Sequence, residues 1–245
     1  MAIQHLKNMN IQQLLQEGYE LPLAMKHYPS RGQTAVQKLY QTKIGKLFLK
    51  EVSKRNHEEC KIDIVSGTLA EREYWAFLLA QEMKLNVPEL ILLNESTTVQ
   101  RWLDYPDANT FMTEQGKLTF KAENVFECAL FDYLTGQIDR HDANYLYNFS
   151  DKEILLIDSA HAFLIFDGSM PDYLKLFEAS NQEMLTKKME VLAKRMLKSL
   201  NTKELQKLVP LRNAEEGKTL VKRYEQLSTV KSISDVIALY RGRKR

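Results

Sequence analysis

The sequence predicts an α+β protein with a small β-rich amino-terminal lobe and a larger, mainly helical carboxy-terminal lobe. Two early segments, 36–40 and 46–52, are predicted to form a hairpin, because the first alternates like a strand and the second returns after a short turn. A capped helix and two more strands follow, and beyond Pro171 apolar residues recur at helical spacing. Strands that precede helices in this way favour segregation of the two into separate parts of the fold.

The first quarter of the chain is predicted to hold a short helix, a loop and the hairpin. Residues 11–16 show helical spacing, and the small and polar residues of 29–34 indicate a loop. A short turn at 42–45 is predicted to join the hairpin strands at 36–40 and 46–52. A polar loop is expected at 53–61.

The next predicted element is a helix at 69–84. Thr68 provides an N-cap and Glu71 the reciprocal side chain of a capping box, and apolar residues then recur every three or four positions. Two strands and a closing turn are expected after the helix, at 87–93, 97–103 and 104–108. We therefore expect the amino-terminal lobe to comprise residues 1–103.

The remaining residues, 104–245, are expected to form the carboxy-terminal lobe, with the hinge near Asp104. A buried helix is predicted at 121–136, and a polar loop leads from it to two short strands at 145–147 and 153–157. Later helices are predicted along the apolar stripe from Met184 to Leu197 and at 203–208, 215–227 and 232–240.

Size and composition are those of a soluble globular protein. The chain has 245 residues, of which 44% are apolar and 27% charged, so it can bury a sizeable core. No apolar run of about 18 residues predicts a transmembrane helix, and the first twenty residues lack the apolar core of a secretory signal. The two cysteines do not form a disulfide framework and suit a reducing compartment.

The charge is unevenly distributed along the chain. Residues 170–245 contain 17 Lys and Arg against 9 Asp and Glu, whereas the first 169 residues contain 17 against 23. A basic carboxy-terminal region could contact an anionic membrane surface, nucleic acid or an acidic protein. Because the basic residues alternate with a strong helical apolar period, solvated helix faces explain most of them. We expect no nucleic-acid partner.

Three polar residues near the middle of the chain carry the candidate chemistry. Asp139 is followed five positions later by Asn144, and Asp158 ends the apolar run 154–157. Phosphoryl transfer uses one carboxylate to orient the attacking hydroxyl, and a carboxamide and a second carboxylate to hold Mg²⁺. Asp and Asn also favour turns, so this pattern alone does not indicate a catalytic site. The residues that precede it in the sequence must support that interpretation.

Two upstream residues occur in the order that a phosphotransferase requires. Lys50 lies near the end of a buried strand, where an ammonium group needs a partner, and Glu73 lies on the following helix. Such an ion pair positions ATP phosphates in kinases. An edge-strand lysine and a solvent-facing glutamate are the alternatives. A loop that could cover the phosphates precedes the hairpin and contains Gly32, Gln33 and Thr34.

Together these motifs resemble an atypical branch of the protein-kinase-like fold. The segments Gly67-Thr68-Leu69-Ala70-Glu71-Arg72-Glu73-Tyr74, Asp139-Arg140-His141-Asp142-Ala143-Asn144 and Ile157-Asp158-Ser159-Ala160-His161-Ala162-Phe163 carry the resemblance. The chain looks similar to phosphatidylinositol kinases, HipA-type bacterial kinases and atypical secretory-pathway kinases from about Tyr28 to Phe166. The resemblance implies a bilobal fold that uses ATP and Mg²⁺.

The resemblance also implies a role for each motif residue. Asp139 would be the catalytic base or would orient the acceptor, and Asn144 and Asp158 would bind Mg²⁺. The family often has Gly after the metal-binding Asp, whereas this chain has Ser159. The predicted phosphate loop of this chain is also poor in Gly. This departure concerns the contacts with the nucleotide and not the metal site.

The nucleotide contacts follow from the same resemblance. Lys50 would contact the α and β phosphates, and Glu73 would fix Lys50, with Glu71 as the fallback. Gln100 and Trp102 fall where the hinge between the lobes would bind adenine.

The acceptor hydroxyl is the least determined part of the hypothesis. A protein Ser or Thr is the first choice, and a phosphoinositide is the runner-up because of the basic carboxy-terminal region. A pseudokinase scaffold without catalysis remains open, and so does an AMP transferase on a kinase fold. A minimal kinase of this kind would be cytoplasmic, or a secreted bacterial effector that acts in a host cytosol.

Overall fold

A computed structural model describes residues 5–23, 35–52, 66–166, 168–180 and 186–242. The fold is mixed α+β, with a five-stranded antiparallel sheet in a small lobe and a larger lobe built mainly from helices. The predicted fold class is therefore confirmed, whereas the boundary at residue 103 stays a prediction. In the described part of the chain, no helix is long and apolar enough to cross a membrane.

The smaller lobe contains α1 (Ile11–Glu17), β1 (Tyr19–Leu21), β2 (Val36–Thr42), β3 (Gly45–Glu51), α2 (Leu69–Glu82), β4 (Leu90–Asn94) and β5 (Thr97–Arg101). The larger lobe contains α3 (Ala108–Gln115), α4 (Ala122–Thr135), β6 (Tyr145–Asn148), β7 (Glu153–Leu156), α5 (Asp172–Ala179), α6 (Thr186–Leu197), α7 (Thr202–Leu208), α8 (Ala214–Leu227) and α9 (Ile233–Arg241). Short 3-10 turns lie at Leu6–Asn8 and Asp142–Asn144. The predicted loops at 29–34 and 53–61 lie outside the described residues.

The sheet places Lys50 in its interior. Its strand order is β1-β2-β3-β5-β4, and every neighbouring pair is antiparallel. Lys50 on β3 lies opposite Gln37 of β2 and Thr98 of β5. An edge-strand role for this lysine is therefore excluded, and its buried ammonium needs a partner inside the protein.

Helix α2 begins at the predicted capping box. The hydroxyl oxygen of Thr68 accepts from the N–H of Glu71 at 3.1 Å, and Oε2 of Glu71 accepts from the N–H of Thr68 at 2.8 Å. The helix ends at Glu82, two residues earlier than expected, since Lys84 adopts a left-handed φ of 59°. A local sequence signal thus determines the start of the helix, whereas its end is set by the backbone conformation at Lys84.

Helix α4 is the centre of the larger lobe. Eleven of its fourteen residues are buried, and it packs against β7 and the helices α5, α6, α8 and α9. Such a helix cannot shift without disturbing the whole core, because protein interiors are close-packed. It therefore gives the loop that follows it a rigid base.

The structure departs from the predicted elements in a few places. Helix α3 occupies the region after the predicted turn, and Asp107 caps it by accepting from the N–H of Thr110 at 2.9 Å. Strand β4 begins at Leu90 and not at residue 87, since Pro88 has no N–H to donate to a ladder. The three-residue strand β1 was not predicted, because so short a segment shows no periodicity.

Gly136 ends α4 and sends the chain into the polar loop. Its φ is 61°, in the left-handed region that glycine tolerates best. A Cβ atom at this position would overlap the guanidinium group of Arg223. Backbone conformation and close packing therefore both require glycine here.

We expect Gly136→Ala to lower the free energy of unfolding by more than the roughly 1–2 kcal/mol of left-handed strain alone. The control is the same substitution in an Arg223→Ala background, where the added Cβ no longer meets a guanidinium group. Denaturant unfolding of both variants measures the difference. Equal losses would show that the contact with Arg223 is unimportant.

Candidate functional site

The Lys50 ammonium joins two carboxylates from different parts of the fold. Nζ lies 2.8 Å from Oε1 of Glu73 on α2 and 2.9 Å from Oδ1 of Asp158, just beyond β7. Thr98 donates its hydroxyl to the other oxygen of Glu73 at 3.1 Å. Glu71 is engaged in the capping box, so Glu73 is the carboxylate that faces Lys50.

Burial and charge act in opposite directions on these three groups. Burial favours the neutral form of each, but the two carboxylates outweigh it at Lys50, whose pKa is raised. Burial prevails at Glu73 and raises its pKa. At Asp158 the charge and hydrogen bond of Lys50 outweigh burial, and the pKa of that carboxyl is lowered. Lys50 and Asp158 are therefore both charged at neutral pH.

Asp139 and Asn144 lie together in the loop between α4 and β6. Nδ2 of Asn144 donates to the backbone oxygen of Asp139 at 2.6 Å and is 3.4 Å from its Oδ2. Nδ1 of His161 is 3.3 Å from the same Oδ2. Asn144 is buried, whereas 46% of the Asp139 side chain is exposed. The carboxylate of Asp139 is thus held in position and remains accessible.

The backbone at Asp158 is strained. Its φ is 52°, which is uncommon for a residue with a Cβ, although Asp tolerates this region better than most. Nε2 of Gln137 donates to the Asp158 backbone oxygen at 3.0 Å and secures the turn. Strain of this kind concentrates at functional sites, where the surrounding structure over-determines it.

A buried ion pair that was not predicted supports the loop. The Arg140 guanidinium lies 3.0–3.2 Å from the carboxylate of Asp132 on α4, which also accepts from the hydroxyl of Tyr173 at 2.9 Å. Arg140 also donates to the backbone oxygens of Asn144, at 2.6 Å, and Ile157. The Arg140 side chain therefore links the two segments that carry the candidate metal ligands, Asn144 and Asp158.

A sequence signal for this pair existed. Asp132 interrupts an apolar run on a helix whose neighbouring residues are all buried, and an unpaired carboxylate is costly there. Arg140 also donates to the hydroxyl oxygen of Ser159 at 2.9 Å. Ser159, which replaces the usual Gly, thus takes part in the same network.

Gln100 and Trp102 line a cavity between the lobes. Most of the residues that line it with them are apolar and come from both lobes: Phe48, Pro88, Leu103, Leu146 and Ile157. The rings of Phe48 and Trp102 have centroids 5.5 Å apart, and the indole N–H of Trp102 donates to Asp104 at 3.0 Å. A mostly apolar cavity with a few polar groups suits a flat aromatic ring. Adenine binding there stays a prediction.

The predicted phosphate loop is not part of this geometry. Gly32, Gln33 and Thr34 lie outside the described residues. The remaining candidates form one region, because Lys50 contacts both Glu73 and Asp158, and Arg140 links the end of β7 to Asn144. This region combines a fixed cation, oxygen donors and an accessible carboxylate beside a cavity.

Comparison of the chain with protein-family models and with curated proteins found no match. Among solved structures, the crystal structure of a Helicobacter pylori proinflammatory kinase, CtkA, is similar, with a TM-score of 0.52 and 14% sequence identity. The alignment covers 91% of this chain and 97% of that one. An identity this low shows the fold alone. The chain therefore has the bilobal kinase-like fold that its motifs indicated.

Proposed function

We propose that this chain is an ATP- and Mg²⁺-dependent kinase that transfers the γ-phosphate to a hydroxyl group. The observation that carries the proposal is the Lys50 ammonium, held 2.8 Å from Glu73 and 2.9 Å from Asp158. Protein kinases require both this lysine–glutamate pair and a metal-binding Asp in place. Asp139 and Asn144 in the adjoining loop complete the set.

The donor chemistry fits Mg²⁺. Asp158 offers a carboxylate whose pKa is lowered, and Asn144 offers a carboxamide oxygen. Magnesium prefers hard oxygen ligands of this kind and usually retains several waters. These two residues would hold the ion, which when bound neutralises charge on the phosphates.

The nucleotide would lie between the lobes. Lys50 would bind the α and β phosphates, and Glu73 would hold Lys50 in the required orientation. Adenine would occupy the cavity lined by Gln100 and Trp102. We also retain the loop with Gly32, Gln33 and Thr34 as the proposed cover of the phosphates.

Asp139 would act on the acceptor. Its exposed carboxylate would accept a hydrogen bond from the attacking hydroxyl and take up its proton as the bond to phosphorus forms. Asn144 and His161 would keep the carboxylate in place, since both lie beside Oδ2.

A protein Ser or Thr is the proposed acceptor, and membership of the phosphatidylinositol, HipA-type and secretory-pathway branch is proposed with it. The description of the similar Helicobacter pylori protein as a kinase supports phosphoryl transfer. A phosphoinositide remains the runner-up because of the 17 basic residues in 170–245. A cytoplasmic location, or secretion as an effector, is retained as a prediction.

Incubation with ATP labelled on either the α or the γ phosphate, with Mg²⁺, tests the reaction directly. We expect γ-label on Ser or Thr of a mixed protein substrate. Asp139→Asn should lower this rate by about 10²–10⁴-fold, because it removes the proton acceptor and keeps the shape. Asp151→Asn is the matched control, since Asp151 lies in the exposed turn between β6 and β7.

Each other labelling result has a distinct meaning. Transfer of α-label would indicate an AMP transferase, and γ-label confined to phosphoinositide vesicles would replace the protein acceptor with a lipid. Nucleotide binding without any transfer would indicate a pseudokinase. All three outcomes contradict the function proposed here.

Thermal unfolding with and without Mg·ATP tests the nucleotide site separately from catalysis. A ligand at 100 times its Kd should stabilise the wild type by about 2.7 kcal/mol. Lys50→Met should weaken binding at least tenfold, or about 1.4 kcal/mol, because the phosphates lose their cation. Lys38→Met removes a half-exposed lysine of the same sheet and should change nothing. An equal thermal shift in both variants would contradict the role of Lys50.

A further inference from the structure

Arg72 is a buried cation beside the proposed site that the proposed mechanism does not use. It precedes Glu73 on α2, and none of its surface is exposed. Its guanidinium donates to the backbone oxygen of Ser66 at 2.8 Å, to the backbone oxygen of Ala162 at 2.6 Å and to Oε1 of Glu216. None of these three acceptors lies on α2.

The acceptors connect α2 to two other parts of the fold. Ala162 lies four residues beyond Asp158, and Glu216 lies in the first turn of α8 in the larger lobe. The hydroxyl oxygen of Ser66 accepts from the N–H groups of Arg212 and Asn213, both at 2.9 Å. The start of α2 is therefore joined to the start of α8 by two independent sets of contacts.

Helix α8 also holds the segment that follows Asp158. Arg223, buried on α8, donates to the backbone oxygens of Leu164 and Phe166 at 3.0 and 2.9 Å. The N–H of Phe163 donates to the backbone oxygen of Thr135 on α4 at 2.6 Å. The segment 159–166 is thus bound on several sides by groups of the larger lobe.

This arrangement bears on the proposed activity. Consecutive helix residues point about 100° apart, so on one rigid helix Glu73 faces Lys50 while Arg72 faces the larger lobe. Many kinases and switch proteins order the corresponding segment only after phosphorylation or binding. In this chain the segment after Asp158 is ordered by backbone carbonyls, a carboxylate and guanidinium groups. The guanidinium groups stay charged at physiological pH.

We propose that Arg72 is a positioning residue that keeps Glu73 and Asp158 assembled around Lys50 without any modification of the chain. This inference rests on the proposed kinase function. The kinase would be active as synthesised, because Arg72 joins α2, the segment after Asp158 and α8. Ser159 is itself buried and engaged by Arg140, in agreement with an unmodified segment.

The test compares Arg72→Lys, which keeps the charge but loses the planar fork, with wild type. We expect amide hydrogen exchange to rise at least tenfold in 69–82 and 158–166 and to stay unchanged in α9. We also expect kcat to fall at least tenfold while KM for ATP changes less than threefold, because the variant keeps both the adenine cavity and the Lys50 cation that would bind the phosphates. Lys194→Gln is the control, since Lys194 forms an exposed ion pair with Glu190.

Glu216→Gln keeps the test decisive if Arg72→Lys unfolds, because it preserves the size of the side chain but removes the charge that compensates the buried Arg72 guanidinium. It should raise exchange in the same two segments. Wild-type exchange and kcat in a folded variant would overturn the inference, and so would loss of wild-type activity after phosphatase treatment. An inactive wild type would overturn the kinase function instead, and the exchange measurements would still decide the role of Arg72.

Discussion

The structure depends on one buried cation, the Lys50 ammonium, and on the two carboxylates that surround it. Neither Glu73 nor Asp158 is near Lys50 in sequence, so the contact requires β3, α2 and the end of β7 to be placed together. A central strand holds the lysine, and a capped helix holds the glutamate. The two lobes meet where these charges compensate one another, because an unpaired charge could not be buried there.

Buried arginines from both lobes support this meeting point. Arg72, Arg140 and Arg223 are all buried, and each donates to backbone oxygens as well as to any carboxylate it contacts. Buried ion pairs add little net stability, yet loss of one partner costs about 3–5 kcal/mol. Their effect is therefore to select one arrangement of the loops around Asp139 and Asp158. Guanidinium groups suit this task since they have several donors in a fixed plane.

Much of the fold follows from signals that act over a few residues. The capping box of Thr68 and Glu71 predicted the start of α2, and alternation predicted β2. The turn after β2 predicted the returning strand β3, and two short segments after the polar loop predicted the strand pair β6 and β7. Helix α3 escaped prediction because its eight residues carry little apolar periodicity and depend on the Asp107 cap and on packing. The Arg72–Glu216 pair escaped it because 144 positions separate the two residues.

The sequence by itself determined the α+β class, the order of most elements and the residue types of the candidate site. These follow from periodicity, capping and chemical identity, which are properties of neighbouring residues. Only the tertiary structure decided that Glu73 and not Glu71 faces Lys50, that Lys50 lies in the sheet interior, and that Arg140 braces the loop. These contacts depend on which residues, distant in sequence, the fold buries side by side. A buried charge without a partner is costly, so the partner must come from another part of the fold.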